Sequence, residues 1–557
     1  MTRIATHGAL ARQWIADDVD AADRAELQRV LADALAGDGG ATEELVARMA
    51  GPLRFGTAGL RGPLRAGPAG MNRAVVLRTS AGLASWLTGQ GAAGTVVVGR
   101  DARHRSEQFA ADAAGVFGAA GFDTVLLPRP LPTPVLAFAA RRLDAVAGVQ
   151  ITASHNPPGD NGYKVYTDGG TQIAPPADAG IEAAIAAAPP AVAVPADGPV
   201  RPGGADLLEA YLQRVAGLPR GPARALRVVA TPLHGVGGAV LVEALRRAGF
   251  TDVHLVAEQA EPDPEFPTVS FPNPEEPGAT DALLALAAEL DADLAIALDP
   301  DADRCALGVP GRAGGWRLLR GDETGVLLGE HRLTTHDQPD PLVATSIVSS
   351  SLLREVAAAH GARYAETRTG FKWLMRAGGG LIYAYEEALG YCVDPEAVHD
   401  KDGISAAVLA CDLTATARAG GRTLEDLLDA IAVRHGVHLT DQVSVRRLDH
   451  AAVAAAMAGL RARPPTELAG HPVRSEDLRH DPRRPDDTLV LHGTGSGIDR
   501  FRVMVRPSGT EPKLKAYLEV VQPVGSPEQL STAREQAAAR LAAVRAATVA
   551  RLAPAGH

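Results

Sequence analysis

The sequence predicts an α/β chain built from several sheet domains, and three observations lead there. Short apolar runs rich in Val, Ile and Leu alternate with segments whose apolar residues recur at helical spacing. That alternation starts afresh more than once along the chain. The length, 557 residues, amounts to three or four domains at roughly 150 residues each. A strand–helix–strand rhythm needs crossover connections, so the sheets are predicted to be largely parallel.

Residues 18–50 read as helical, with apolar positions spaced among Asp, Glu and Arg. From Val96 the rhythm begins: TVVVG is a buried-strand run, SEQFAADAAGVFGAAG a helix, TVLLP a strand, and AVAGVQITAS a strand that leads directly to Ser154. The stretch Ala174 to Asp206 is rich in Pro and Ala and marks a boundary. A second cycle follows: LRVVATPLHG, the helix GAVLVEALRRAG, DVHLV, the helix DALLALAAEL, and the strand DLAIALD, which delivers Asp299. A third begins near Gly321 and includes LVATSIV and LLREVAAAHG. From about Asp441 the chain is strand-rich (FRVMVRP, KAYLEV) and closes with an Ala/Arg-rich helix. The expected divisions are 1–207, 208–320, 321–440 and 441–557: three similar mixed α/β sheet domains and a C-terminal α+β domain.

Composition excludes several classes. Hydrophobic content of 46% with 22% charged residues is that of a soluble globular chain. No run of about 18 apolar residues is present, so no membrane span is expected. The N-terminus lacks the basic-then-apolar pattern of a secretory leader, which points to the cytoplasm. Cys305, Cys392 and Cys411 stand far apart, so neither a zinc site nor a disulfide framework is expected. A net charge of −11 argues against nucleic acid as a partner. Any anionic substrate needs local positive charge against that field. Of 55 basic residues only five are lysines: Lys164, Lys372, Lys401, Lys513 and Lys515. All lie inside or beside the motifs below. An ammonium is compact and can titrate, whereas a guanidinium stays charged, so some of these positions are expected to need lysine.

Three motifs carry chemistry. In Thr152-Ala153-Ser154-His155-Asn156-Pro157 a hydroxyl follows a buried strand, and Pro157-Pro158 prevents a helix from starting there. Ser154 thus sits where open parallel sheets place ligands. A lone serine is a weak nucleophile and needs a base or a metal. No GxSxG surrounds it, and His155, as the adjacent residue, is not expected to reach back to it, which disfavours a hydrolase triad. In Asp299-Pro300-Asp301-Ala302-Asp303-Arg304, three alternating carboxylates share one face of an extended chain. They repel one another unless a cation intervenes, and an all-oxygen set favours Mg2+. An EF-hand is ruled out because the loop's twelfth position is Pro310. Arg304 can reach a phosphate. Arg506-Pro507-Ser508-Gly509-Thr510 with Lys513 has the make-up of an anion cradle. Gly235-Val236-Gly237-Gly238 lacks the last glycine of a dinucleotide fingerprint, since position 240 is Val. A hydroxyl, a triple-carboxylate metal site and an anion cradle together point to phosphoryl transfer on a sugar.

Nearly the whole chain resembles the α-D-phosphohexomutase superfamily. TASHNP, DPDADR, the sugar loop Glu386-Glu387-Ala388-Leu389-Gly390 and RPSGTEP resemble its four active-site loops. RFGTAGLRG (54–62), GRDAR (99–103), NGYKVY (161–166), TPLHG (231–235) and TGFKW (369–373) support the match. Within the superfamily the chain resembles the branch of bacterial phosphoglucomutases and phosphopentomutase-type enzymes. It has Phe371-Lys372 where another branch has His after Thr-Gly, and Ala388 where the common loop has Ser.

The resemblance implies four domains around a central cleft, with a cytoplasmic isomerase moving phosphate between the two ends of a sugar phosphate. Ser154 would carry the phosphate and join Asp299, Asp301 and Asp303 in the Mg2+ site, and glucose 1,6-bisphosphate would be the activator. Arg61, Lys164 and His155 would flank the reacting group, with Lys164 or Lys372 as the acid/base. Thr57, Arg304, Glu386, Glu387, Arg506, Ser508, Gly509, Thr510 and Lys513 would bind substrate. Glucose is the expected sugar, mannose or a pentose the alternatives. A metal-dependent sugar phosphatase and a non-catalytic sugar-phosphate-binding protein are the competing classes.

Overall fold

The structure, a computed structural model, describes residues 2–56, 59–167, 169–312, 314–482, 485–495, 498–508 and 512–553. The chain divides into two compact units, Met1–Leu318 with Gly390–Ala415, and Leu319–Leu389 with Thr416–His557.

The first unit opens with three helices, Thr2–Asp17, Ala21–Leu35 and Gly39–Arg48. The side chains of Asp20 and Asp38 cap the second and third by accepting from backbone N–H groups that have no helical partner. Leu27, Val30, Leu31, Ala34, Leu45 and Met49 form their shared core.

A mixed sheet follows. Its order runs Leu60–Pro63, Asp160–Thr167, Ala147–Ile151, Thr95–Arg100, Asp123–Leu126, Val200–Pro202. The Thr95–Arg100 strand is parallel to both its neighbours, as the strand–helix rhythm predicts, while Asp160–Thr167 returns antiparallel to Ala147–Ile151. Every residue of Ala147–Ile151 is buried, which fits its unbroken apolar run. A second mixed sheet runs Trp316–Leu318, Cys305–Pro310, Leu294–Leu298, Arg227–Thr231, Asp252–Leu255, with Leu294–Leu298 parallel to Arg227–Thr231 and antiparallel to Cys305–Pro310. Ser154 and Asp299 therefore both leave interior strands at their C-terminal ends. Cys305, Cys392 and Cys411 are buried and free, in keeping with the absence of a disulfide framework.

In the second unit, Leu342–Ser346 lies between Arg363–Thr367 and Leu381–Glu386, all parallel. The C-terminal sheet is antiparallel, Val437–Arg446, Lys513–Gln522, Ile498–Pro507, Leu489–Gly495, His471–Asp477, Glu467–Leu468, and the helices His450–Ala462 and Leu530–Leu552 contribute to its core. One buried carboxylate joins these two sheets. Glu519 Oε1 accepts from Ser350 Oγ at 2.7 Å and Ser351 N at 2.8 Å, and its Oε2 accepts from Arg502 Nε at 2.7 Å. Arg502 also donates to the Ser349 carbonyl. Among the described residues no helix is long and apolar enough to cross a membrane.

Burial alone would raise the pKa of Glu519, but Arg502, His438 and Ser350 outweigh it and hold the carboxyl below its ordinary 4.5. Its contribution to stability is therefore complete above about pH 4.5 and shrinks as pH falls below that value. Glu519→Gln takes from the Arg502 guanidinium its nearer counter-ion. The expected loss is about 3–5 kcal/mol, read by denaturant unfolding at pH 7, with the gap between wild type and variant narrowing as the pH is taken toward 3.

Candidate active site

Ile151 ends a buried strand, and the chain then turns tightly. Ser154 N donates to Thr152 Oγ1 at 2.9 Å, and Asn156 N to the Ala153 carbonyl at 3.1 Å. Ser154 has φ +52°, a left-handed conformation that costs a non-glycine residue about 1–2 kcal/mol. Only surrounding contacts can hold it there. The Arg103 guanidinium supplies them, donating to the carbonyls of Ser154 (2.7 Å), Asn156 (2.5 Å), Pro157 (2.7 Å) and Asp160 (3.2 Å).

The same turn corrects one expectation. His155 does reach back: its Nδ1 lies 3.2 Å from Ser154 Oγ. The left-handed residue folds the chain so that neighbouring side chains fall on one side, which extended backbone would forbid. Burial, with Arg304 and Arg61 adding to it, pushes the His155 pKa well below 6.5, so the imidazole is neutral at neutral pH. The Ser154 hydroxyl donates instead to a carboxylate, Asp299 Oδ2, at 2.9 Å.

The aspartates need a second correction. Asp299 to Asp303 is not an extended stretch but a turn, closed by Ala302 N donating to the Asp299 carbonyl at 2.8 Å, with Ala302 at φ +55°. The three carboxylates still converge, because the turn wraps them around one point: each offers an oxygen within 4.8 Å of the others. All three are fully buried. Their repulsion is offset from two directions. Lys164 Nζ donates to Asp301 Oδ2 at 2.6 Å and to Asp303 Oδ2 at 2.7 Å, and Lys401 Nζ lies 2.9 Å from Asp303 Oδ2. Thr133 Oγ1 donates to Asp301 Oδ2 at 2.6 Å. Burial raises the Asp303 pKa, but Lys164, Lys401 and Arg304 outweigh it and hold the group low. Asp299 goes the other way: burial first, then Asp303 and Asp301, push it well above 3.8. Asp301 Oδ1 and Asp303 Oδ1 are buried without a hydrogen-bond partner. Orphaned carboxylate oxygens in a converging set are what an oxygen-liganded divalent cation satisfies, so the residues fit a metal.

Two guanidiniums add positive charge beside the same carboxylates. Arg61 lies on the edge strand opposite Gly162, and its Nε is buried and free of a hydrogen bond. Arg304 N donates to Asp299 Oδ1 at 3.1 Å, and its Nε lies 4.0 Å from Asp299 Oδ2 and from Asp303 Oδ1.

In the second unit, Glu387 Oε2 accepts from Ser346 Oγ and Ser349 Oγ, each at 3.1 Å. Glu386 ends the strand Leu381–Glu386. The hydroxyl of Tyr517 lies in the combined field of Glu387, Arg506 and Glu386. The Ser508 N–H, just past the strand Ile498–Pro507, donates to the Lys513 carbonyl at 2.9 Å. Lys372 is buried on the short helix Phe371–Leu374, and the Arg368 guanidinium stacks 3.4 Å above the Trp373 ring beside it. Thr57, Gly509 and Thr510 lie outside the described residues.

Sequence reasoning missed Lys401, Thr133 and Arg103 as members of the site. Lys401 was within reach, being one of five lysines in an arginine-rich chain. Thr133 was not, because its partner Asp301 is 168 positions away.

Comparison with known proteins identifies three consecutive domain families in the chain. Residues 52–191, 209–312 and 320–434 match the phosphoglucomutase/phosphomannomutase α/β/α domains I, II and III. The "Probable phosphomannomutase" of Haemophilus influenzae is 42% identical over 81% of this chain and 93% of its own. Human phosphopentomutase is 33% identical over 93% of this chain and 92% of its own. The crystal structure of a phosphomannomutase-like protein from Thermus thermophilus superposes with a TM-score of 0.68 at 26% identity, covering 88% of this chain and 99% of that one.

The carboxylate turn generates a direct expectation. Mg2+ titrated into the protein should give a calorimetric binding isotherm, and Asp301→Asn should weaken it by about tenfold or more. An unchanged isotherm in the variant would place the cation elsewhere.

Proposed function

Because the chain belongs to the phosphoglucomutase/phosphomannomutase family and is a phosphomutase acting on sugar phosphates, we propose that it interconverts sugar 1-phosphate and sugar 6-phosphate through a phosphorylated Ser154, with glucose as the favoured sugar. The observation that carries this reading is the buried 2.9 Å hydrogen bond from Ser154 Oγ to Asp299, within a turn whose other carboxylates have unsatisfied oxygens.

The residues present support the following mechanism. Asp299, Asp301 and Asp303 would hold Mg2+, which supplies charge neutralisation to the transferring phosphoryl group. Asp299 orients the Ser154 hydroxyl. His155, kept neutral, lies 3.2 Å from the same oxygen without adding charge. Arg61 and Arg304 donate to phosphate oxygens as planar forks. Lys164, which bridges Asp301 and Asp303, would move a proton as the phosphate leaves or arrives, with Lys372 as the alternative acid/base. Thr57, Arg506, Ser508, Gly509, Thr510 and Lys513 bind the substrate's own phosphate and its surroundings, while Glu386 and Glu387 accept from sugar hydroxyls. Ser154 gives its phosphate to the free hydroxyl of the bound sugar phosphate, which becomes a bisphosphate. The bisphosphate returns its other phosphate to Ser154, so no phosphate is lost overall. Glucose 1,6-bisphosphate would load the serine at the outset.

A pentose reading has its own support. The human relative is a phosphopentomutase, and Ala388 removes a hydroxyl that the common hexose loop offers.

Ser154→Ala should lose mutase activity by at least about a thousandfold with bisphosphate present, and intact-mass analysis should find one phosphate on wild type and none on the variant. Retained turnover in the variant would remove the phosphoserine scheme. Inorganic phosphate release on the same sample separates a phosphatase. Side-by-side kcat/KM on glucose, mannose and ribose 1-phosphates assigns the sugar.

A further inference from the structure

The matched family regions begin at residue 52, so the three N-terminal helices, residues 2–48, lie outside them. One set of their contacts leads, through Arg105, toward the Ser154 turn. Asp20 caps the second helix and Asp23 lies in its first turn. Both bind one guanidinium: Arg105 Nη1 donates to Asp23 Oδ1 at 2.6 Å, and Arg105 Nη2 to Asp20 Oδ2 at 2.8 Å and Asp23 Oδ2 at 3.1 Å. Arg73 backs this pair, 3.9 Å from Asp20 and bidentate to Asp112 at 2.8 Å on both oxygens.

Arg105 has φ +63° and stands two residues after Arg103, whose guanidinium grips four carbonyls of the Ser154 turn. The link between them is stiff. Asp101 Oδ1 accepts from Arg103 N at 2.9 Å and from Ser106 Oγ at 2.7 Å, and Asn161 Nδ2 donates to the His104 carbonyl at 2.9 Å. The Arg103 side chain is 1% exposed and packs 4.9 Å from the Phe266 ring centroid.

We propose that the N-terminal helices brace the Ser154 turn through Asp20 and Asp23, Arg105 and then Arg103, which makes Arg103 a positioning residue for the nucleophile. This rests on Ser154 being the phosphorylated group. A guanidinium tied to two carboxylates fixes the Arg105 backbone in a conformation that a non-glycine residue otherwise leaves. That fixes where Arg103 starts, and Arg103 in turn fixes a left-handed serine. Catalysis feels this through the aim of one oxygen, because small misplacements of a reacting group cost rate and not substrate affinity.

The test uses the full-length protein and three variants: Arg105→Ala, Arg105→Lys, and the double substitution Asp20→Asn with Asp23→Asn. Hydrogen–deuterium exchange of peptides covering 153–160 is read alongside kcat, KM and melting temperature. In Arg105→Ala and in the double variant, exchange in 153–160 should rise and kcat fall by about three- to thirtyfold, with KM nearly unchanged. Arg105→Lys should recover most of both. If Arg105→Ala does not fold, the double variant, which keeps every side chain's size, decides the matter. Unchanged exchange in 153–160 overturns the brace. So does exchange that rises across the whole protein while kcat and KM move together, the mark of general destabilisation. The exchange readout needs no phosphoserine, so a wild type found unphosphorylated would refute the catalytic reading and leave the mechanical one to be judged separately.

Discussion

Burying three carboxylates at one turn is the constraint around which the first unit is organised. Isolated, such charges would not leave water; the desolvation cost of each is several kcal/mol after relaxation. The fold supplies compensation from distant parts of the chain. Lys164 comes from a returning antiparallel strand, Thr133 from the start of a helix in the first sheet's layer, and Lys401 from the segment Gly390–Ala415, which re-enters this unit after an excursion through the second. The compensation is uneven. Asp303 is held ionised while Asp299 is pushed toward protonation, and two oxygens stay without partners. A site that was merely structural would close those gaps with donors. This one leaves them open beside a hydroxyl.

The second unit follows another electrostatic logic. Its parallel and antiparallel sheets meet over Glu519, which has donors on both oxygens and lies against Arg502 and His438. Here the carboxylate is saturated, and its role is to hold two sheets in register. Glu387, just past the strand that ends at Glu386, takes hydrogen bonds from two serine hydroxyls. Hydroxyl donors orient a carboxylate without cancelling its charge.

Much of the architecture was legible in the chain because it depends on local order. Each apolar run became a strand, and each helical period a helix. Ser154 and Asp299 could be placed at strand ends because the runs before them are unbroken and the residues after them are turn formers. What was hidden depends on backbone detail or on long separations. The left-handed φ of Ser154 and Ala302 is not written in their residue types, so His155 was expected to point away and the aspartates to lie along an extended chain. Arg103 is part of a motif, but its partners are carbonyls, and a carbonyl has no identity in a sequence. Lys401 stood out by rarity alone; its contact with Asp303 is a property of the tertiary fold.

The backbone at Ser154 also restricts which hydroxyl the position accepts. Threonine offers the same oxygen, yet its branched Cβ crowds the carbonyl when φ is positive, and β-branched residues are outliers in that region. The backbone thus disfavours the conservative alcohol exchange, so selection between serine and threonine here is made by torsional geometry before any question of reactivity arises.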